Sequence, residues 1–387
     1  MFKKLALASV IALATSSVFA GEPIKIGFVT TLSTGAGVIG QDMRDGAELA
    51  LDQLDRKMGG SDVTIIYEDD GFKPEIGKQK TDKLVKKDKV DFVSGYIWSH
   101  VLMASYKKVV DNDVFLIGSN AGPSTIAGKR CHENFFSTSW QNDQNAMAMG
   151  EVLNQRGIKR LYIMAPNYAA GKNMVAGVKR TFKGEVVGQD MTKFPAQLDF
   201  SAELAKVRAA KPDALWVFYP GKHGVQFLKQ YSQSKLAKNV PLYNIFTIDN
   251  LSLPRVGEWA EGSLMTQFWA PNLDTPANKR FVDGFKEKYD RYPSFYAAQS
   301  YDSMMLIDSA VRKVDGDISD KDAVRAALTE ADFESVRGKI NYGNNHFPIQ
   351  DFYLTKVIKD SDGVYTTEIV NKVLSNHQDP YASKCKI

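Results

Sequence analysis

The 387 residues, 44% hydrophobic and 24% charged, have the composition of a globular protein and are too many for one ordinary domain. The 49 Lys and Arg are nearly balanced by 45 Asp and Glu, a net charge of +4, which excludes the large basic excess of a nucleic-acid or anionic-membrane binder. Two cysteines and five scattered histidines, with no CxxC or HExxH spacing, give no support to a metal site.

The chain opens with MFKKLALASVIALATSSVFA, which reads as a secretory signal peptide over 1–20. Lys3 and Lys4 are its basic start, 5–14 its apolar stretch, and Val18-Phe19-Ala20 its cleavage site. Gly21 follows rather than Cys, so a lipid-anchored cysteine is not indicated, and no later stretch is apolar enough to span a bilayer. The expected product is an exported, soluble protein. In an oxidising compartment the even cysteine count favours a disulfide between Cys131 and Cys385. Closing so long a loop restricts the unfolded chain by up to about 4–5 kcal/mol.

Residues 24–30 (IKIGFVT) are a buried strand, 31–40 a Gly-rich loop, and 42–57 a helix with Met43, Ala47, Ala50, Leu51 and Leu54 on one side. Strand 63–67 ends in Glu68-Asp69-Asp70, and a lysine-rich helix covers 74–87; the carboxylate pair Asp69 and Asp70 beside it is expected to be a solvated patch. Strand 92–94 leaves through Gly95, which permits a tight exit. Ser99 sits where an N-cap would sit, ahead of Val101, Leu102, Val109 and Val110. The next strand, 114–117, ends in Ser119-Asn120-Ala121-Gly122. These two strand ends make a place to hold an anion, and Tyr96 and Trp98 add an apolar wall.

After 135–140 and a helix over 142–156 the alternation restarts. Strands are expected at 161–165, 185–191, 214–219, 242–246 and 264–268, with helices at 171–182, 201–210 and 223–234. Helices at 278–289, 296–314 and 321–331 follow. A hairpin of 347–358 and 364–370 then turns at Ser361-Asp362-Gly363. The reading is α/β, two lobes, each a mainly parallel sheet flanked by helices. Lobe 1 is 21–140 plus 270–344, lobe 2 is 141–269 plus 345–375, and 376–387 is a tail. Three crossovers, near 137–141, 268–272 and 343–350, suit hinge closure around a ligand.

Gly35-Ala36-Gly37-Val38-Ile39-Gly40 matches GxGxxG after a strand, the mark of a dinucleotide loop. Four residues separate strand from first glycine, and export removes the chain from the usual cofactor pool, so a flexible βα loop is the better reading. An exported NAD-dependent oxidoreductase stays as a distant alternative. No GxSxG elbow is present, and His100 and His223, each just after a strand, read as polar lining rather than catalytic bases. No cofactor and no catalytic residue is expected.

Four segments together resemble the leucine/isoleucine/valine-binding family of ABC-transporter solute-binding proteins. They are KIGFVTTLSTGAGVIGQDMRDGAELALDQL, VSGYIWSHVLMASYKKVVDNDVFLIGSNAG, NYAAGKNMVAGVKR and DALWVFYPGKHGVQFLKQ. The resemblance implies a type I periplasmic binding fold, a periplasmic location, a small-molecule ligand, a membrane permease as partner, a monomer, and no enzymatic activity. It places the ligand's carboxylate on Ser99 and the loop Asn120, Ala121 and Gly122, with Tyr168 from the second lobe. Two positions depart from the pattern. The second tyrosine falls near Lys222, with Tyr219 close enough to substitute. The ammonium-binding acid falls near Phe246, leaving Asp249 as the nearby acid.

A buried ammonium without its acid costs roughly 3–5 kcal/mol, a hundredfold or more in affinity. A carboxylate without an ammonium is the better partner. Tyr96, Trp98, Tyr168, Tyr219 and Phe246 then supply rings for an apolar body, while Phe218 and Tyr243 are expected in the core or at the surface. Some subgroups of the family bind benzoate- or cinnamate-type acids, and the ring-rich loops resemble that pattern. The expected ligand set is Tyr96, Trp98, Ser99, His100, Asn120, Ala121, Gly122, Tyr168, Tyr219, Lys222 and Phe246. The alternative is a branched-chain or other amino acid with Asp249 as ammonium partner.

Overall fold

The apolar runs pair into two sheets. The computed structural model describes residues 23–387, so the signal peptide expected over 1–20 lies outside the described residues. The first sheet holds β1 (Ile24–Thr30), β2 (Lys57–Met58), β3 (Ser61–Asp69), β4 (Phe92–Gly95), β5 (Phe115–Gly118) and β6 (Phe135–Ser137). Its order is β2-β3-β1-β4-β5-β6, parallel except for β2 against β3. Gly95 ends β4 at φ 103°, and a Cβ there would stand 2.2 Å from the Val29 carbonyl oxygen, so the tight exit requires glycine. Between these strands run α1 (Gly37–Gln53), α2 (Pro74–Lys83), α3 (Ser99–Val110) and the short α4 (Ser124–Ala127).

The chain then passes to the second sheet through α5 (Asp143–Gln155). There β7 (Arg160–Pro166), β8 (Glu185–Thr192), β9 (Ala214–Phe218), β10 (Leu242–Ile245) and β11 (Leu264–Gln267) lie parallel, with α6 (Ala169–Thr181), α7 (Ser201–Ala210), α8 (Lys222–Gln233) and α9 (Leu253–Ala260) between them. The helix α9, whose backbone is kinked at Gly257, is not among the expected elements.

Three helices return to the first sheet, and α10 (Pro276–Tyr289) and α11 (Phe295–Lys313) pack on α1. The third, α12 (Lys321–Glu330), packs on α11. Their starts are capped by the side chains of Thr275, Ser294 and Asp320, each worth about 1 kcal/mol. The hairpin closes the chain as β13 (Pro348–Lys359) and β14 (Tyr365–His377), antiparallel, with β13 also antiparallel to β11. The last crossing differs from expectation. The strand β12 (Asn341–Tyr342) already pairs with β13, so the return to the second sheet precedes Asn341 rather than following residue 344.

One buried cation gathers the three crossing segments. The Arg337 guanidinium bonds Asp302 on α11 at 3.1 Å, and donates to the carbonyls of Thr138 (2.7 Å) and Ser139 (3.2 Å) and to Gln350 Oε1 (2.7 Å). It also lies 5.2 Å from the Phe268 ring centre. Thr138 and Ser139 belong to the first crossing, Phe268 to the second, and Arg337 itself to the third. Cys131 and Cys385 are joined in a disulfide across 254 residues, fastening the tail to the loop after α4.

Candidate ligand-binding site

The ends of β4 and β5 face the ends of β7, β9 and β10 across a cleft. At its floor is a narrow cavity whose walls carry Trp98, Ser99, Trp140, Tyr168, Phe218, Phe246 and Tyr296, together with Asn120, Ala121 and Asn142. No Asp, Glu, Lys, Arg or His is among its lining residues. Phe246 stacks on Trp140 with ring centres 4.5 Å apart and meets Phe295 at 4.9 Å. Tyr168, the residue before α6, stacks on Phe194 at 4.8 Å, and burial pushes its hydroxyl pKa well up.

Ser99 is the first residue of α3, whose N-cap is Trp98, and its side chain is among those lining the cavity. It therefore points into the cleft. Its Oγ accepts from Asn142 Nδ2 at 3.1 Å, which leaves its own proton to be given away. The first-turn N–H groups of α3, with no acceptor inside the helix, lie beside it. Asn142 Nδ2 also approaches Asn173 Oδ1 on α6 at 3.2 Å, and Asn173 Nδ2 donates to Ser124 Oγ at 2.9 Å. This polar relay spans both sides of the cleft.

The loop after β5 plays a different part from the one expected. The Ala121 N–H donates to the Tyr96 carbonyl at 3.0 Å and the Gly122 N–H to Asn142 Oδ1 at 3.2 Å, so both amides are already engaged. The Asn120 side chain donates to the Ile97 carbonyl at 2.7 Å and accepts from Gln299 at 2.6 Å. Asn120 and Ala121 wall the cavity as framework; Gly122 does not line it.

Four further expectations are corrected. Tyr96 is fully buried beneath α2, its hydroxyl bonded to Thr81, so its ring is outside the cavity. Tyr219 also turns away: its hydroxyl accepts from Thr192 at 3.1 Å and its ring packs on Phe200 and Phe227. The neighbouring Phe218 faces the cavity in its place, because successive residues at a strand end point to opposite sides. Tyr243 is core, as expected. Lys222 and His100 do not reach the cavity floor but line a larger outer chamber, beyond Trp98 and Tyr168. Asp69 and Asp70 are not a solvated patch. Asp70 is fully buried and accepts from Thr31 at 2.5 Å; Thr31 in turn accepts from Trp98 Nε1 at 2.8 Å, which fixes the indole against the cleft. Burial raises the Asp70 pKa against that bond.

His223 donates from Nε2 to the Pro195 carbonyl at 2.8 Å, a loop-holding role, and burial lowers its pKa. The GAGVIG stretch, expected as a loop, is helical from Gly37 onward, and its glycines serve close approach. A Cβ on Gly40 would stand 1.9 Å from the Thr31 carbonyl oxygen, and one on Gly35 would stand 2.9 Å from Lys222 Cδ, whose stem reaches across the cleft.

Asp249, the candidate ammonium partner, is buried behind this wall and is not among the cavity's lining residues. Its Oδ1 accepts from the Leu251 and Ser252 N–H groups at 3.0 and 2.7 Å, while Oδ2 has no partner among the described residues. Burial pushes its pKa up to about 6.

The sequence profile of the periplasmic binding protein family matches residues 23–363. A Leu/Ile/Val-binding protein homolog of Brucella melitensis is 26% identical over 378 residues, 94% of this chain and 95% of that protein. A solute-binding protein of an ABC transporter from R. palustris, solved in complex with benzoate, superposes with a TM-score of 0.88 at 30% identity, covering 94% of this chain and all of that one. Another from Rhodopseudomonas palustris BisB5, in complex with 3,4-dihydroxybenzoic acid, gives 0.86 at 26% identity, covering 92% of this chain and 99% of that one.

Proposed function

Since the chain belongs to the periplasmic binding protein family and is an ABC-transporter solute-binding protein of its Leu/Ile/Val group, we propose that the solute it captures is a small aromatic carboxylate. The observation that carries this is the inner cavity: ring walls from Trp98, Trp140, Tyr168, Phe218, Phe246 and Tyr296, and no charged side chain lining it. An ammonium group buried there without a carboxylate costs roughly 3–5 kcal/mol. A carboxylate finds the free Ser99 proton and the first turn of α3, whose dipole contributes up to about 2 kcal/mol. The body of the ligand stacks between rings, each good aromatic pair adding about 0.5–1.5 kcal/mol. The benzoate complex of the R. palustris protein supports the same reading.

Capture proceeds by hinge closure about the three crossing segments, after which the closed protein presents the solute unchanged to a membrane permease. Calorimetric titration of ligand-stripped protein with benzoate, 4-hydroxybenzoate and leucine tests the solute class. Benzoate-type acids are expected to bind at least a hundredfold more tightly than leucine; the reverse order overturns the proposal. One observation favours an amino acid instead, the unpartnered Asp249 Oδ2, and tight leucine binding abolished by Asp249→Asn would establish that reading.

A further inference from the structure

Above the inner cavity, Trp98 and Tyr168 meet edge to face, ring centres 6.3 Å apart, and divide it from the outer chamber. The outer chamber, about 960 Å3, is much the larger and opens to solvent. Its floor is apolar. Phe72 meets Trp98 at 4.5 Å and Phe194 at 5.3 Å, and Met103 and Ile39 continue the surface. Its rim is cationic: Lys73, Lys172 and Lys222 line it, and no Asp or Glu does.

Those three lysines differ from others nearby. Lys80 and Lys83 pair with Glu68, and Lys86 and Lys108 with Asp82. Lys73, Lys172 and Lys222 form no ion pair among the described residues. Glu75, close enough to act on His100, is not part of the wall. His100 also lines the wall, its Nδ1 buried and without a hydrogen-bond partner among the described residues. The walls come from both sides of the cleft, Phe72, Lys73 and His100 from one and Lys172, Phe194 and Lys222 from the other. Three unpaired cations around an aromatic floor complement one ligand chemistry, an anion carried on an apolar ring body.

We propose that the outer chamber is a second binding site, for an aromatic organic anion, separate from the inner cavity and independent of which solute the inner cavity holds. A molecule seated there touches both lobes and holds them together over the inner solute.

The probe is 1-anilinonaphthalene-8-sulfonate, followed by fluorescence on the folded mature chain, with its uncharged relative N-phenyl-1-naphthylamine as control. The expected result is one sulfonate site per chain, weakened at least tenfold by Lys73→Gln combined with Lys172→Gln and unchanged by Ser99→Ala. Benzoate titration of the double lysine variant is expected to match the wild type within twofold, and circular dichroism to show the same fold. Equal binding of the neutral probe, no loss in the lysine variant, or loss in Ser99→Ala would each overturn the proposal. Failure of benzoate to bind any of these proteins would undo the proposed function and leave the sulfonate result standing.

Discussion

Ser99 keeps a proton that the protein itself does not use, because Asn142 fills its acceptor side. A hydrogen bond to a charged group contributes about 1.5–3 kcal/mol, so Ser99→Ala is expected to weaken benzoate roughly tenfold to a hundredfold in calorimetry. Asp249 acts on stability. Its carboxyl is pushed up to about 6 in the fold from an ordinary value near 3.8. The native state thus favours the protonated form, and this contribution is fully present below about pH 4 and lost as pH rises to about 6. The difference amounts to about 3 kcal/mol. Asp249→Asn keeps an oxygen for the two backbone donors and removes the titration. It is expected to match the wild type in urea melts at pH 4 and to exceed it at pH 7.5. Trp98, Ser99, Tyr168 and Phe246 could be placed from the sequence because each stands at or just beyond the end of a strand read correctly. Trp140, Asn142 and Tyr296 come from a crossing segment and from a helix beyond residue 290. No local pattern marks them, since what brings them to the cavity is the packing of the two lobes. The burial of Asp70 has no local mark, since acids beside a lysine-rich helix look solvated and its hydroxyl partner Thr31 lies 39 residues away.

Among the elements, parity at the end of β9 decides which ring faces the cavity. The alternation of strands and helices was plain in the sequence, but a chain that is apolar on both faces gives no period from which to tell inward from outward residues. The sequence therefore does not distinguish Phe218, which faces the cavity, from Tyr219, which faces away. Phe218→Ala is expected to weaken aromatic-acid binding at least tenfold, and Tyr219→Phe to leave it within twofold, both by titration. The hairpin of β13 and β14 was legible from its Asp-Gly turn: the Val364 N–H donates to Asp360 Oδ1 at 2.8 Å and Gly363 takes φ 80°. The kinked α9 was not, its interruption at Gly257 leaving only short apolar pieces on either side.

Over the whole molecule, Arg337 connects parts of the chain that no sequence window contains. Its pair with Asp302 is buried, and removing one partner leaves an uncompensated charge worth about 3–5 kcal/mol. Arg337→Met is expected to lower stability by that amount in urea unfolding, and Arg337→Met with Asp302→Asn to recover part of it, since the amide carries no charge yet still accepts from the Val336 N–H. The two-lobed plan itself was readable from two runs of alternation and a set of helices lacking a sheet. The last crossing was placed late because β12 is two residues long, too short to announce itself.

The relay from Ser99 through Asn142 to Asn173 and Ser124 has a kinetic consequence. The hydroxyl proposed to hold the solute and the amide that spans the cleft are successive links of one chain. Escape therefore requires rupture of bonds the solute does not make, and its residence time is governed by the lobes' own seam. A weak and a strong solute, once enclosed, would leave at rates more alike than their affinities. The difference between them would lie in how often closure succeeds.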